Sequence, residues 1–330
     1  MTLYAHPMLG LVFASLAAML TATATPALAQ PTDYPTRPIR MIIPFPPGGS
    51  ADPLGRALGA WLGEKFGQQV VADNRPGAGT AIAHTLGAKA TPDGYTLMLG
   101  SSSGLASNPA FGGKLEYHPL KDFEPIGLAA FVPQMIAVHP SVAAKDMQAF
   151  IDLSKAQPDK ITFGSPGAGT LGHLAIVLIN SASGARFLHV PYKGAAAASL
   201  DAVGGRIHAY YGSVTGTQAL VQSGKLRALA TGHLKRLSAL PDLPTVSETI
   251  PGFHGDGWYG LLGPVGTPAP IIKKLHAEMQ RALTNTEFIR YVEKIGMVPT
   301  TGSPQDLRNF VRDELTRWTK AARDAKLQPR

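Results

Sequence analysis

Three short glycine-rich turns carry the residue types that can hold an anion: Pro44-Phe45-Pro46-Pro47-Gly48-Gly49-Ser50-Ala51-Asp52, Arg75-Pro76-Gly77-Ala78-Gly79-Thr80 and Ser165-Pro166-Gly167-Ala168-Gly169-Thr170. Each follows a β-branched or aromatic apolar run and precedes an alanine- and leucine-rich stretch, so each reads as a strand-to-helix turn. Glycine lets the backbone approach a ligand closely, and a helix start presents unpaired N–H groups at a positive dipole end. The pentapeptide Pro-Gly-Ala-Gly-Thr occurs twice, at 76–80 and 166–170. One such turn alone is an ordinary βα connection; three together suggest a ligand. Two enzyme signatures compete with that reading. Gly100-Ser101-Ser102-Ser103-Gly104 matches the nucleophile elbow G-x-S-x-G, which would make Ser102 the nucleophile of a secreted esterase. A long helix should then follow directly, whereas Leu105-Ala106-Ser107-Asn108-Pro109 looks short and broken; hydroxyls lining a polar pocket explain the same serines. Gly167 through Gly172 matches G-x-G-x-x-G, yet no acidic residue closes the next strand near His189 to take a ribose hydroxyl. The ten histidines show no H-x-H or HExxH spacing, and there is no cysteine, so neither a metal nor a cofactor is expected. His173, on the helix opened by the second repeat, is near enough to its turn to touch a ligand, and Lys193 offers a cation that solvent also accounts for.

The elements positioning these turns alternate between apolar and amphipathic runs, the pattern of an α/β protein around a largely parallel sheet. Strands are expected over 39–45, 69–73, 95–99, 161–163, 187–190, 207–211 and 226–230. Helices are expected from Asp52 to about 66 and over 80–90, 145–156, 170–181 and 195–203. A β region over 126–138, interrupted near Pro133, is a candidate crossover between lobes. After Gly252 come Trp258-Tyr259-Gly260-Leu261-Leu262-Gly263-Pro264 and then three helices. Ser303 caps the last of them, whose Leu307, Phe310, Val311, Leu315 and Trp318 are expected to form a buried stripe.

Leu9 to Leu20 is apolar but for Ser15, and Ala27-Leu28-Ala29 is an A-x-A cleavage site, so residues 1–29 read as a secretory signal peptide and the protein as periplasmic. Removing that leader leaves roughly 300 residues, enough for two lobes. The net charge of +8 lies outside the leader, which holds no Lys, Arg, Asp or Glu. Much of it sits on the C-terminal helices interleaved with acids, as on solvated helix faces. The export signal and the lack of a concentrated basic run exclude nucleic acid.

Taken in order, the segments Tyr34-Pro35-Thr36-Arg37-Pro38-Ile39-Arg40, Phe45-Pro46-Pro47-Gly48-Gly49, Asn74-Arg75-Pro76-Gly77-Ala78-Gly79, Pro92-Asp93-Gly94-Tyr95-Thr96-Leu97, Val190-Pro191-Tyr192-Lys193-Gly194 and Leu240 through Glu248 resemble the extracytoplasmic solute-binding proteins of tripartite tricarboxylate transporters, the Bug family. The resemblance implies an α/β, two-lobe periplasmic binding protein of the Venus flytrap, type II-like kind, hinged at crossover segments. It divides the chain into lobe 1 (30–132 plus 253–330) and lobe 2 (133–252). It implies a non-enzymatic protein, most simply a monomer, that closes on a small organic carboxylate and hands it to membrane permease subunits or to a sensor kinase. Carried over by position, the carboxylate is gripped by Gly48, Gly49, Ser50 and Asp52 on one side and Ala168, Gly169 and Thr170 on the other. Ser102 and Ser103 border the pocket, and Phe45, His173 and Ser213 complete the candidate set. Many relatives carry an acid near the end of the strand over 207–211, where this chain reads Tyr210-Tyr211-Gly212-Ser213. An amino-acid ligand is therefore disfavoured, a di- or tricarboxylate or an aromatic acid is expected, and Gly212 is expected to open space for a bulkier group.

Overall fold

The computed structural model describes residues 33–324 apart from Gly113 and Ser238, together with Thr2. The leader expected over 1–29 lies, but for Thr2, outside the described residues. The chain divides into two compact units, Met1–Tyr34 and Pro35–Arg330, and the elements described here belong to the second.

The chain begins with β1 (Ile39–Ile43), α1 (Ala51–Phe66), β2 (Val70–Asn74), α2 (Ala81–Ala88), β3 (Thr96–Ser101), a one-turn α3 (Asn108–Ala110) and β4 (Phe123–Val132). Pro133 alone then separates β4 from β5 (Gln134–Val138), and with it a second sheet starts. That sheet is built from α4 (Met147–Ala156), β6 (Thr162–Ser165), α5 (Leu171–Ser183), β7 (Leu188–Pro191), α6 (Ala195–Val203), β8 (Ala209–Ser213), α7 (Val214–Gln222) and β9 (Arg227–Thr231), followed by the short α8 (Val246–Thr249). β10 (Gly257–Pro264) returns to the first sheet, and α9 (Ala269–Thr284), α10 (Thr286–Lys294), β11 (Val298–Pro299) and α11 (Pro304–Asp324) complete the described chain.

The strand orders are β11-β4-β10-β3-β1-β2 and β7-β6-β8-β5-β9. Each sheet thus holds a parallel trio, β2-β1-β3 or β7-β6-β8, flanked by one antiparallel strand that arrives from the other sheet, β10 or β5. The expectation of a largely parallel sheet is corrected here. Two crossovers, one at Pro133 and one between β9 and β10, each insert a strand of reversed direction.

β10 escaped the sequence reading because both its faces are buried, so it shows no polar alternation, and Gly260, Gly263 and Pro264 depress its strand propensity. Its Trp258 and Leu262 pack with Ile42, Met98, Phe123, Leu307 and Val311 in the first core. The second core centres on Phe150, Phe163 and Phe187, with the rings of Phe150 and Phe187 stacked at 4.5 Å. A third cluster links the two sheets' helices, since Leu171 and Leu174 of α5 meet Trp318 and Ala322 of α11.

The stripe expected on α11 is buried at Leu307, Val311 and Trp318, with Phe310 packed partly buried against the same core, and it departs from expectation at one position. Glu314 is buried where Leu315 was expected, because 307, 311, 314 and 318 follow the helical period more closely. Its carboxylate is satisfied by the indole N–H groups of Trp258 (3.4 Å) and Trp318 (3.0 Å) and by Arg317 (2.8 Å).

Candidate ligand-binding site

All three glycine turns lie at the carboxyl ends of parallel strands, the edge where open α/β sheets bind ligands. β1 leads through 44–50 into α1, β2 leads through 75–80 into α2, and β6 leads through 166–170 into α5. Neither Ser50, before α1, nor Thr170, before α5, caps its helix through its side chain. α4, α7 and α10 are capped by Asp146, Ser213 and Asn285, while α2, α6 and α9, like α1 and α5, carry no side-chain cap. The first-turn N–H groups of α1 and α5 therefore remain available to an acceptor, at the positive ends of helices of 16 and 13 residues.

The first turn is braced from outside. Asn74 donates through Nδ2 to Phe45 O (2.9 Å) and to Asp52 Oδ1 (3.0 Å), and Arg56 Nε donates to the same Oδ1 at 2.9 Å. Burial works to raise the Asp52 carboxyl, but the hydrogen bonds from Arg56, Asn74 and the Gly48 N–H outweigh it and hold it below the ordinary range. An ionised carboxylate engaged in this way offers an anion no donor, so Asp52 serves the turn through its side chain and an acceptor only through its N–H. Ser50 Oγ lies 2.9 Å from Tyr259 Oη, and Phe45 packs edge-on against the Tyr259 ring at 6.3 Å. The neighbouring Trp258 N–H donates to Ser102 Oγ at 3.4 Å, so β10 ties the first turn to the end of β3.

The middle turn, absent from the candidate residues, proves to be where the two halves meet. Ala78, Gly79 and Thr80 all have left-handed backbones, with φ of 47°, 59° and 78°. Two of these are not glycine, a strain that surrounding contacts must hold. Asn108 Nδ2 donates to Ala78 O (3.1 Å) and Gly79 O (3.3 Å), while His84 Nδ1 bonds Thr80 O at 2.8 Å. The carbonyls of all three left-handed residues thus end on two side chains. Across from them lies the second copy of the pentapeptide. A Cβ on Gly79 would stand 3.3 Å from Ala168 O, and one on Gly169 (φ 77°) would stand 3.2 Å from Asn108 Oδ1. Ser107 Oγ completes the bridge by donating to Gly169 O at 3.3 Å. Residues 103–107, between β3 and α3, form a wide π-type turn that presents Ser107 and Asn108 to both repeats.

The remaining candidates fall into place around this contact. Thr170 Oγ1 donates to Gly167 O at 2.7 Å and closes its own turn, and Ser103 O accepts from Ser107 Oγ at 3.2 Å. His173 is sandwiched between Phe111, at 4.8 Å, and His189, at 4.0 Å, and its Nδ1 faces the Gly169 N–H at 3.4 Å. Ser213 Oγ accepts from Gly216 N–H as the α7 cap.

Gly212 opens no space: a Cβ there would fall 2.1 Å from the Tyr210 ring, which folds over it within a cluster of Ala198, Ala202 and Leu226. The esterase alternative also loses its geometry, since the histidine at this turn, His84, bonds Thr80 O and faces the Ser101 N–H (3.5 Å) rather than Ser102.

Two sheets of matching strand order, joined by two crossovers with glycine turns at the facing strand ends, make this the two-lobe α/β fold of periplasmic solute-binding proteins. Residues 54–327 match the model of the tripartite tricarboxylate transporter family receptor, and the chain belongs to that family. Receptors of this family are periplasmic, and the family and its structural neighbours are solute-binding proteins, not enzymes. Protein BugT from Bordetella pertussis is 35% identical over 306 residues, covering 91% of this chain and 94% of BugT. Among solved structures, Rpa4515 of R. palustris with adipate superposes with a TM-score of 0.86 at 33% identity, over 90% of this chain and 100% of that one. MatC from Rhodopseudomonas palustris with bound malate gives a TM-score of 0.81 at 29% identity, over 87% and 99%.

Proposed function

We propose that this protein captures a small organic carboxylate, most directly an aliphatic dicarboxylate, by closing its lobes on it, and delivers it to the permease of a tripartite transporter. Lobe 1 spans 30–132 and 253–330 and lobe 2 spans 133–252, with residues 1–29 removed on export to the periplasm. One carboxylate is received by the N–H groups of Gly48, Gly49, Ser50 and Asp52 and by those of Ala168, Gly169 and Thr170, four of which exchange long contacts for it: Gly48 to Asp52 Oδ2 (3.4 Å), Gly49 to Pro46 O (3.5 Å), Gly169 to His173 Nδ1 (3.4 Å) and Thr170 to Gly167 O (3.4 Å). Phe45, Ser102, Ser103, His173 and Ser213 shape the walls.

The observation that carries the reading is the pair of helix starts, α1 and α5, left without side-chain caps behind glycine turns at the ligand-bearing edge of each sheet. The adipate and malate held by two relatives support the ligand class. The energetics suffice. A micromolar complex needs about −8 kcal/mol, hydrogen bonds to a charged group contribute about 1.5–3 kcal/mol each, and a helix terminus adds up to about 2 kcal/mol. Four to six donors drawn from both lobes cover this after association and ordering costs. Because they lie on different lobes, ligand shifts the population toward the closed form.

Calorimetric titration with adipate, malate, citrate and benzoate is the test. Saturable one-to-one binding of a dicarboxylate, weakened at least tenfold in Gly169→Ala, supports the proposal. Absence of heat and of thermal stabilisation with every acid refutes it.

A further inference from the structure

Away from the glycine turns, the crossover between β9 and β10 gathers two imidazoles on one buried carboxylate. His233 Nδ1 contacts Asp256 Oδ2, and His254 Nε2 lies 3.5 Å from the same oxygen. The candidate ligand atoms of the three residues all lie within 4.8 Å of one another. The Asp256 side chain is fully buried, while His233 and His254 keep 28% and 19% of theirs exposed, so both imidazoles reach solvent.

The backbone beneath the cluster is pinned. Gly232 N–H donates to Gln134 O (2.8 Å) and Gly255 N–H to Gly232 O (2.9 Å). Tyr211 Oη donates to Gly255 O (2.7 Å), and Arg317 donates to His254 O at 2.7 Å. Gln134 N–H donates to Asp256 Oδ1 (3.3 Å), which orients the carboxylate and leaves Oδ2 facing the imidazoles. Bonds of about 2.0–2.1 Å in a tetrahedral zinc site separate the ligand atoms by about 3.3 Å, close to the spacing between His254 and Asp256. Rotation of the partly exposed His233 ring sets the third distance.

We propose that His233, His254 and Asp256 bind one divalent transition-metal ion of the zinc class, with water in the open position. Two imidazoles and one carboxylate suit such borderline cations rather than magnesium or calcium, which demand oxygen ligands. Arg317, which donates to His254 O, is charge-paired with Glu314 at 2.8 Å. The ion ties one residue just after β9, His233, to two just before β10, His254 and Asp256, and so stiffens one crossover between the sheets. The sequence hid the site because 20 residues lie between His233 and His254, with only His254-x-Asp256 in close spacing.

The test is titration of the chelator-treated full-length mature protein with zinc chloride by calorimetry, repeated with cobalt(II) followed by visible absorption. One zinc per chain, tetrahedral cobalt bands, and affinity reduced at least tenfold in both His233→Ala and His254→Ala are expected. Both variants keep Asp256, and circular dichroism verifies their folding. Absence of saturable binding at micromolar zinc overturns the proposal, as does equal binding in wild type and both variants, which would put the ion on other histidines.

Discussion

Acid should loosen the strained middle turn through His84. Its ring is fully buried, stacked on Tyr117 at 5.5 Å, and burial pushes its pKa down from 6.5 to about 4 against the weaker upward pull of its bond to Thr80 O. The carbonyl of Thr80 can only accept, so the proton sits on Nδ1 and Nε2 faces the Ser101 N–H as acceptor. The folded state therefore refuses a proton that the unfolded chain accepts. This contribution to stability is fully present above the unfolded pKa, is lost as pH falls from about 6.5 to about 4, and is constant below that. The linkage amounts to about 2 kcal/mol between pH 7.5 and pH 5, and to about 3 kcal/mol by pH 4. Urea unfolding of the wild type and of His84→Gln at both pH values measures it. The variant, less stable at pH 7.5, should lose about 2 kcal/mol less than the wild type on going to pH 5. His233 works in the opposite direction: the hydrogen bond it donates to the Asp256 carboxylate raises its pKa, so its contribution is present at low pH and lost as pH rises through the raised pKa. It is common to both proteins and cancels in the difference. Equal pH slopes in the two proteins would refute the reasoning.

The other predictions concern contacts away from titration. Asn108→Ala strips the left-handed turn of its bonds to Ala78 O and Gly79 O, so urea unfolding should show a loss of about 1–3 kcal/mol and calorimetry a weaker ligand. Unchanged values in both assays would remove Asn108 from the bridge between the repeats. Glu314→Ala leaves Arg317 and two indole N–H groups without their shared acceptor. A cost of about 3–5 kcal/mol is expected in denaturation, with altered tryptophan fluorescence, and a loss below 1 kcal/mol would contradict the burial argument.

What the sequence disclosed were features written in local pattern. The break at Pro133 between β4 and β5, the helix over 195–203 and the turns after β1, β2 and β6 all follow from apolar runs punctuated by proline and glycine. What it hid depends on contacts between distant segments. β10 carries no alternation because both its faces are covered, and its antiparallel direction follows from the crossover rather than from its own residues. Asn108 lies in a stretch that reads as broken, and its importance appears only when it meets carbonyls 29 and 30 residues earlier. The duplicated pentapeptide was the one available signal of that meeting, though it did not say that the copies touch. Tyr210 over Gly212 shows the opposite case, where a missing side chain suggested space that a neighbour two residues away fills.

A crystal structure of the protein grown with whichever dicarboxylate titrates tests the central claim most directly. One carboxylate is expected with its oxygens about 2.7–3.2 Å from main-chain N–H groups at the starts of both α1 and α5, beneath closed lobes. A dicarboxylate held instead by lysine or arginine side chains, with both helix starts facing solvent, would contradict it.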